Sequence, residues 1–537
     1  MKCCQCRAAS LVGLSLSASA LSVAPAFGYV FNDFNRWSRT ATDGFGFAQG
    51  DPTTLTWSIV PDGTAVGGNP VIPSSGLVSF LDSIRGAGPG GNDLTQRPWF
   101  SLFEQSFDRF SQLSGLTLVY EPNDDGVQSS SAFSRRGVLG VRGDIRIGGG
   151  SIDGQSGANT LAYNYFPDNG DMVIDTDNIS FYSSTSNNSR AFRNVVMHEF
   201  GHGIGISHLE SDTSTSAMSG CGCAACCAVR EAQSQPATTT PGGQFLMEPF
   251  ISTAFDGPQL DDILAIHRGY GDFYEKANNG NGNDSAAYAI NLGTLSLGAT
   301  TSIGTDADDT VVAASDTDFV SIDDDSDLDF FKFTIDQAVF LDVVLTPKGP
   351  TYNSGVQDGT QSPLVTSELS DLALTLLDQD GSTVLETSSS GGLGEAESIL
   401  DIELIEAGTY FARIAGADNA PQLYQLDFLA TAIPLLIGDL NGDFVVDEAD
   451  LAIILEQFGQ SANPGTLADG DPTGDGYVDL ADLNLVLANW TGTDPPSIAV
   501  PEPGSVVILA GALGLTTRRR RPMHYTYPTK TKAFIAS

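Results

Sequence analysis

The run His198-Glu199-Phe200-Gly201-His202-Gly203-Ile204-Gly205-Ile206-Ser207-His208 constrains this chain more than any other stretch. His198 and His202 are four residues apart, so a helix projects both imidazoles from one face at the spacing that a single metal ion needs. Gly205 permits the positive φ that ends a helix sharply, turning the chain so that His208 returns as a third ligand. Three neutral nitrogens leave a Zn2+ ion its double charge and a fourth position for water. Glu199 is the base that can take that water's proton as it attacks a carbonyl. Surface histidines on an ordinary helix would use the composition oddly, because the chain has 5 histidines and three fall on these positions.

A length of 537 residues exceeds what one core supports and predicts several domains. The formal net charge is -41 although only 17% of residues are charged. Acid in that excess argues against nucleic acid as a partner and favours bound Ca2+ wherever it clusters. At the N-terminus Lys2 and Arg7 precede an apolar run over 8–23 that leads to Ala24-Pro25-Ala26. Residues 1–28 therefore read as a secretory signal peptide, the run being too short to span a membrane. Cys3, Cys4 and Cys6 leave with it, so four of the 7 cysteines remain: Cys221, Cys223, Cys226 and Cys227. Two local disulfides, a second small metal site, or a thiolate that fills the open zinc position all stay open for this cluster.

Residues 54–60 alternate like a half-buried strand, and 99–113 carry Phe103, Phe107 and Phe110 at helical spacing. Residues 116–120 and 144–147 read as further strands. With the H-E-x-x-H-x-x-G-x-x-H motif, this order resembles the matrixin branch of the metzincin peptidases. The likeness covers 29–275, with 209–245 as an insertion. Leu246-Met247-Glu248-Pro249 looks like the family's Met-turn, a role for which Met218 competes, and Asp261-Asp262-Ile263 with Ile266 and Tyr270-Gly271 resembles its closing helix. The resemblance implies an α+β catalytic domain acting on a protein or peptide substrate. It implies one catalytic zinc on His198, His202 and His208, Glu199 as base, and Met247 as floor. Residues 159–166 match the edge strand that pairs with extended substrate through backbone groups. Matrixins usually carry a second zinc on histidines in this strand and the next; Tyr163 and Val173 stand there, so that zinc is not expected. Asp153, Asp171, Asp175 and Asn178 resemble the family's calcium loops, solvated surface acids being the other reading.

Residues 276–283, rich in Asn and Gly, read as a flexible linker. From 284 to 431 short strands alternate with Asp/Gly/Ser turns, which predicts an all-β sandwich. Asp327-Leu328-Asp329-Phe330-Phe331 and Ala407-Gly408-Thr409-Tyr410 resemble the pre-peptidase β-domain of secreted bacterial peptidases, and no catalytic constellation occurs there. Over 438–491 an acidic loop appears twice. Asp439, Asn441, Asp443, Val445, Asp447 and Asp450 recur in register as Asp471, Thr473, Asp475, Tyr477, Asp479 and Asp482, at EF-hand spacing. One helix follows each loop, which resembles a type I dockerin, a small α domain holding two Ca2+ ions and docking on a cohesin-type partner. Phe444 replaces the turn glycine of the first loop, and Thr473 weakens the second loop's ligand set. Val500-Pro501-Glu502-Pro503-Gly504, an apolar run and Arg518-Arg519-Arg520-Arg521 resemble a PEP-CTERM sorting signal over 500–521, followed by a tail over 522–537. The whole reads as a bacterial zinc endopeptidase, secreted or held at the cell surface, that meets the membrane transiently through this signal. The rival is a calcium-dependent scaffold with a silent peptidase fold.

Overall fold

Alternation places Leu55, Trp57 and Ile59 of one strand in the core, and the phenylalanines of the following helix cover them. The structure, a computed structural model, describes residues 36–67, 72–128, 136–154, 160–208, 245–307, 311–353, 362–433, 436–463 and 467–491, with the backbone alone of 209–210, 226–230 and 354–356. The segments expected to be a signal peptide, a sorting signal and a tail, with Met218, Cys221 and Cys223, lie outside the described residues. The chain divides into two compact units, Met1–Ile433 and Pro434–Ser537.

The first part of the larger unit runs β1 (Thr53–Ile59), α1 (Leu77–Arg85), α2 (Phe100–Leu113), β2 (Leu116–Tyr120), β3 (Ile145–Gly150), β4 (Thr160–Tyr165), β5 (Met172–Asp175), α3 (Ser186–Gly203), β6 (Leu209–Glu210), β7 (Cys226–Arg230) and α4 (Leu260–Tyr270). Six of its strands form one sheet in the order β2-β1-β3-β5-β4-β7. β1 pairs parallel with β2 and β3, β3 parallel with β5, and β4 antiparallel with β5. On this sheet Trp57 stacks over Phe100 and Phe107 at 5.5 and 4.7 Å. Phe107, with Phe110, also meets Phe200 of α3 edge-on, at 5.2 and 4.6 Å. Each buried aromatic of this ladder contributes about 1.5–3 kcal/mol, so the motif helix is seated by the core that the periodicity of α2 predicts.

One expectation is overturned. β4 was expected to be an open edge, but β7 from the insertion pairs with it antiparallel, Asn164 opposite Cys227 and Tyr163 opposite Ala228. An unpaired edge is a row of unsatisfied backbone groups, and the chain's own strand satisfies them here.

The second part of this unit is all β: β8 (Ile290–Thr294), β9 (Thr300–Ile303), β10 (Val320–Ile322), β11 (Leu328–Ile335), β12 (Val339–Pro347), β13 (Thr351–Val356), β14 (Ser362–Val365), β15 (Leu372–Leu377), β16 (Val384–Ser388), β17 (Glu397–Leu404), β18 (Gly408–Gly416) and β19 (Gln422–Ala432). One sheet is ordered β8-β11-β18-β15-β16; the other is β9-β19-β12-β17, with β10 also on β19. Phe331, Phe333, Leu374 and Ile414 of the first share a core with Leu341, Val343, Leu426 and Phe428 of the second. The smaller unit holds α5 (Glu448–Gln457) and α6 (Leu480–Ala488) around Leu440, Val446, Ile454, Val478 and Val486.

Within the expected linker, 276–283, residues 278–281 are exposed, and the chain becomes buried at Gly282 and Asn283. Asn283 is fully buried, donating to Asp329 at 2.6 Å and accepting from Phe330 N at 2.9 Å. Around it the two parts are joined tightly. His267 of α4 meets Ser321 Oγ at 2.8 Å, Asp272 accepts from Ser321 N at 3.0 Å, and Arg109 donates to the carbonyls of Ala313 and Asp316 at 2.9 Å each. The junction also buries acid: one oxygen each of Glu275, Asp327 and Asp329 lies within 4.8 Å of the others. Glu275 Oε1 and Asn283 Oδ1 have no hydrogen-bond partner among the described residues.

Burial pushes every one of these carboxyls up, Asp272 to about 7 and Asp323 to about 9, and facing carboxylates add to the rise at Glu275, Asp323, Asp327 and Asp329. The folded chain therefore holds protons that the unfolded chain, with carboxyls near pKa 4, has released. That contribution to stability is complete below about pH 4 and is lost as pH rises through about 7 to 11, Glu275 being raised to about 11. In protein treated with EGTA the melting temperature should fall between pH 6 and pH 9. Asp327→Asn should flatten that slope, and calorimetry at stepped pH would measure both.

Candidate metal centre

The regular part of α3 begins at Arg190, since Asn187, Asn188 and Ser189 have φ of 50°, 54° and 59°. From there one face delivers His198, Glu199 and His202, all fully buried. Gly205, at φ 107°, turns the chain off the helix, and Ile206 N donates back to Gly201 O at 3.0 Å. His208 then returns to the site, its Nε2 3.1 Å from His198 Nε2 and 3.1 Å from His202 Nε2. The opposite ring nitrogens face carbonyls. His198 Nδ1 lies 2.6 Å from Leu246 O and His202 Nδ1 lies 2.7 Å from Ile206 O. A carbonyl can only accept, so each Nδ1 carries the proton and each Nε2 keeps its lone pair for the common point. Burial, with His208 adding to it, pushes the His198 imidazole down to about 3 and that of His202 well below its usual range. Neutral imidazoles with fixed tautomers and lone pairs converging on one point fit a divalent ion of zinc's type, with its nitrogen preference.

The surroundings hold this geometry. A methyl group on Gly201 would come within 2.2 Å of Met247 Sδ, so Met247 packs directly against the motif helix and the glycine is what admits it. The Leu246–Met247 turn hangs on Asp262, whose carboxylate accepts from Leu246 N at 2.8 Å, Met247 N at 3.1 Å and Gln259 N at 2.8 Å. Burial pushes Asp262 up to about 6 against those three bonds. Trp37 Nε1 donates to Gly203 O at 2.8 Å and the Tyr270 hydroxyl to Ile204 O at 3.0 Å, fixing the helix end. None of these supports is legible in the motif. Outside it, Met247, Asp262 and Tyr270 have a signal in the sequence, through the likeness to a Met-turn and a closing helix; Trp37 has none.

The remaining candidates fare unequally. Tyr163 and Val173 sit opposite each other across β4 and β5, in an apolar cluster with Val60, Val66 and Ile72. The four expected calcium positions serve the backbone. Asp153 accepts from Thr160 N, Asp171 from Arg146 N, and Asp175 from Ile152 N and Asp177 N, while Asn178 donates to Thr160 O. Asp153, Asp171 and Asp175 do not form one of the carboxylate clusters found among the described residues.

In the smaller unit the two loops are wired alike. Asp439 accepts from the amides of Gly442, Asp443 and Phe444, and Asp471 from those of Gly474, Asp475 and Gly476. Asp450 accepts from Leu440 N and Asn441 N; Asp482 accepts from Thr473 N and from the Thr473 hydroxyl. Asp447 and Asp479 are spent capping α5 and α6. Asp443 accepts from Val445 N and Asp475 from Tyr477 N. Asp439, Asp443 and Asp450 gather as a possible cation group; among the described residues the second loop's carboxylates do not. Phe444 has φ 66° where Gly476 has 89°, so the first loop forces a left-handed turn on a bulky residue.

Asp262→Ala should leave three buried amides without an acceptor and lower unfolding stability by about 3 kcal/mol or more, at about 1–3 kcal/mol for each orphaned group. Denaturant unfolding would measure it, and an unchanged midpoint would mean the turn is held by other means.

Residues 142–220 match the family model described as Matrixin, a span that contains His198, Glu199, His202 and His208. No curated protein matches. Among solved structures, the pre-peptidase C-terminal domain of collagenase from Bacillus anthracis is 14% identical, covers 26% of this chain and 93% of that one, and has a TM-score of 0.15. A β-glucosidase from Paenibacillus barengoltzii is 11% identical over 27% of this chain and 11% of that one, with a TM-score of 0.14. Likenesses this slight bear no weight. The family match, together with the histidine triad, supports a metallopeptidase.

Proposed function

We propose that the chain is a zinc-dependent endopeptidase of matrixin type that hydrolyses peptide bonds of proteins outside the cell. The observation that carries this reading is the convergence of three buried imidazole nitrogens, two with tautomers fixed by carbonyls, beside the buried carboxyl of Glu199. His198, His202 and His208 would hold the ion, and Met247 would floor the site without ligating it. Zinc bound there would polarise the scissile carbonyl and bring the pKa of water from about 16 to about 7. Glu199 takes the proton from the attacking water and returns it to the leaving amine. Its burial keeps that proton from bulk solvent. A substrate reaching β4 in extended form would displace β7, which already uses those backbone groups.

Outside this site the reading assigns the smaller unit a dockerin role, with Ca2+ in its two loops and a cohesin-type partner. Ca2+ among Glu275, Asp327 and Asp329 would likewise neutralise the buried acid of the junction. Residues 1–28 would direct export, and 500–521 would hold the product briefly at the membrane.

Glu199→Ala should keep the fold and the bound zinc but lose turnover by roughly 10²–10⁴-fold, whereas His202→Ala should lose the zinc. Casein digestion with and without a zinc chelator, alongside metal analysis, tests both. Wild-type turnover in Glu199→Ala would sink the mechanism.

Residues 438–491 should gain helical circular dichroism on adding Ca2+, since clustered carboxylates repel until a cation sits among them. Asp443→Ala with Asp475→Ala should abolish the gain. Equal helicity in chelator would remove the calcium assignment.

A further inference from the structure

The hairpin of β13 and β14 belongs to neither sheet of the β-sandwich. Its two strands pair with each other, Tyr352 opposite Leu364, and β13 then continues into a second pairing. Gly355 lies opposite Glu210 and Val356 opposite Leu209, so β13 takes hold of β6. β6 begins one residue after His208. Residues up to Ile206 are anchored to the end of α3, and His202 by its own helix, but the arm that leaves His208 runs into the insertion. Its first strand contact beyond the third imidazole is with this hairpin. Ordering a free arm costs about 1–2 kcal/mol of backbone entropy per residue, a cost that the second pairing offsets.

The same hairpin reaches the other loose part of the site. Tyr352 is 8% exposed, its ring 4.7 Å from that of Phe245, and its hydroxyl donates to Asp261 Oδ1. Asp261 is fully buried in the first turn of α4, next to Asp262. Asp262 holds the amides of Leu246 and Met247, and Leu246 O orients His198. Leu364 and Leu369 share a core with Phe245, Leu246 and Met247. One hairpin therefore grips both segments that the motif helix does not control.

We propose that the β13–β14 hairpin is a positioning element of the metal centre, with Tyr352 as a positioning residue, so that the β-sandwich takes part in holding His208 and the Leu246–Met247 turn. This rests on the reading that the three histidines hold a metal ion. Groups that orient metal ligands from one shell out typically change metal affinity by roughly 10- to 100-fold when removed.

The test uses the full chain with Co2+ in place of zinc, read by its visible absorption and by the rate of metal release to a chelator. Gly355→Pro with Val356→Pro removes two consecutive amides, one of which must face β6, because strand amides alternate in direction. Metal release should quicken roughly 10- to 100-fold, and the spectrum should move toward that of His208→Ala. Tyr352→Phe keeps the ring against Phe245 and guards against a variant that fails to fold; release should quicken, by less than in the proline variant. Both variants releasing metal at the wild-type rate with an unchanged spectrum would overturn the proposal and leave the hairpin as domain packing. A wild-type chain that takes up neither Co2+ nor zinc would overturn the metal reading itself, and this inference with it.

Discussion

Two backbone carbonyls, those of Leu246 and Ile206, govern the candidate metal centre. By accepting from Nδ1 of His198 and His202 they leave both Nε2 lone pairs on the inside, and an imidazole turned the other way would offer a proton there instead. Everything nearby can be understood as keeping those carbonyls in place. Ile206 is held by the end of α3 and the left-handed Gly205. Leu246 is held by Asp262 at the start of α4, and α4 is seated against the β-sandwich through His267 and Arg268. A site usually described by its four motif residues thus depends on contacts spread over more than a hundred positions of chain.

The acidity of the chain acquires a structural meaning. Many of its carboxylates are acceptors for loop amides: Asp62 for Val78 and Ser79, Asp144 for Thr56 and Ala41, Asp262 for the Leu246–Met247 turn, and Asp439 and Asp471 for whole loops. A carboxylate that accepts several amides replaces water at a turn and fixes its shape, a task that neutral side chains perform more weakly. Basic partners are few, and Arg146 with Asp124 is the most deeply buried ion pair among the described residues.

What could be read from the residues alone is what has a short period. The four-residue spacing of His198 and His202, the glycine at 205 and the phenylalanines of α2 each announce a local geometry, and β1, α2 and β2 lie within a residue or two of where alternation and helical spacing put them. Pairings between distant segments leave no such trace. Nothing in 226–230 marks it as a partner for β4, and nothing in 351–365 marks a hairpin that abandons its own sandwich. The burial that begins at Gly282 and Asn283 leaves no such trace either. Asn and Gly signal a turn, but whether water or protein satisfies their amides is decided by residues around 329. Asp153, Asp171 and Asp175 accept from backbone amides and Asn178 donates to a carbonyl, pairings that their spacing does not announce.

The pairing of Leu209 with Val356 joins residues 356 − 209 = 147 positions apart. A ribosome adds roughly 5–20 residues each second, so the arm beyond His208 waits about 7–30 s for its partner strand to be made. The order in which the chain is synthesised thus delays the pairing next to His208 until β13 has been made, while most of the later strands of the sandwich are still to come.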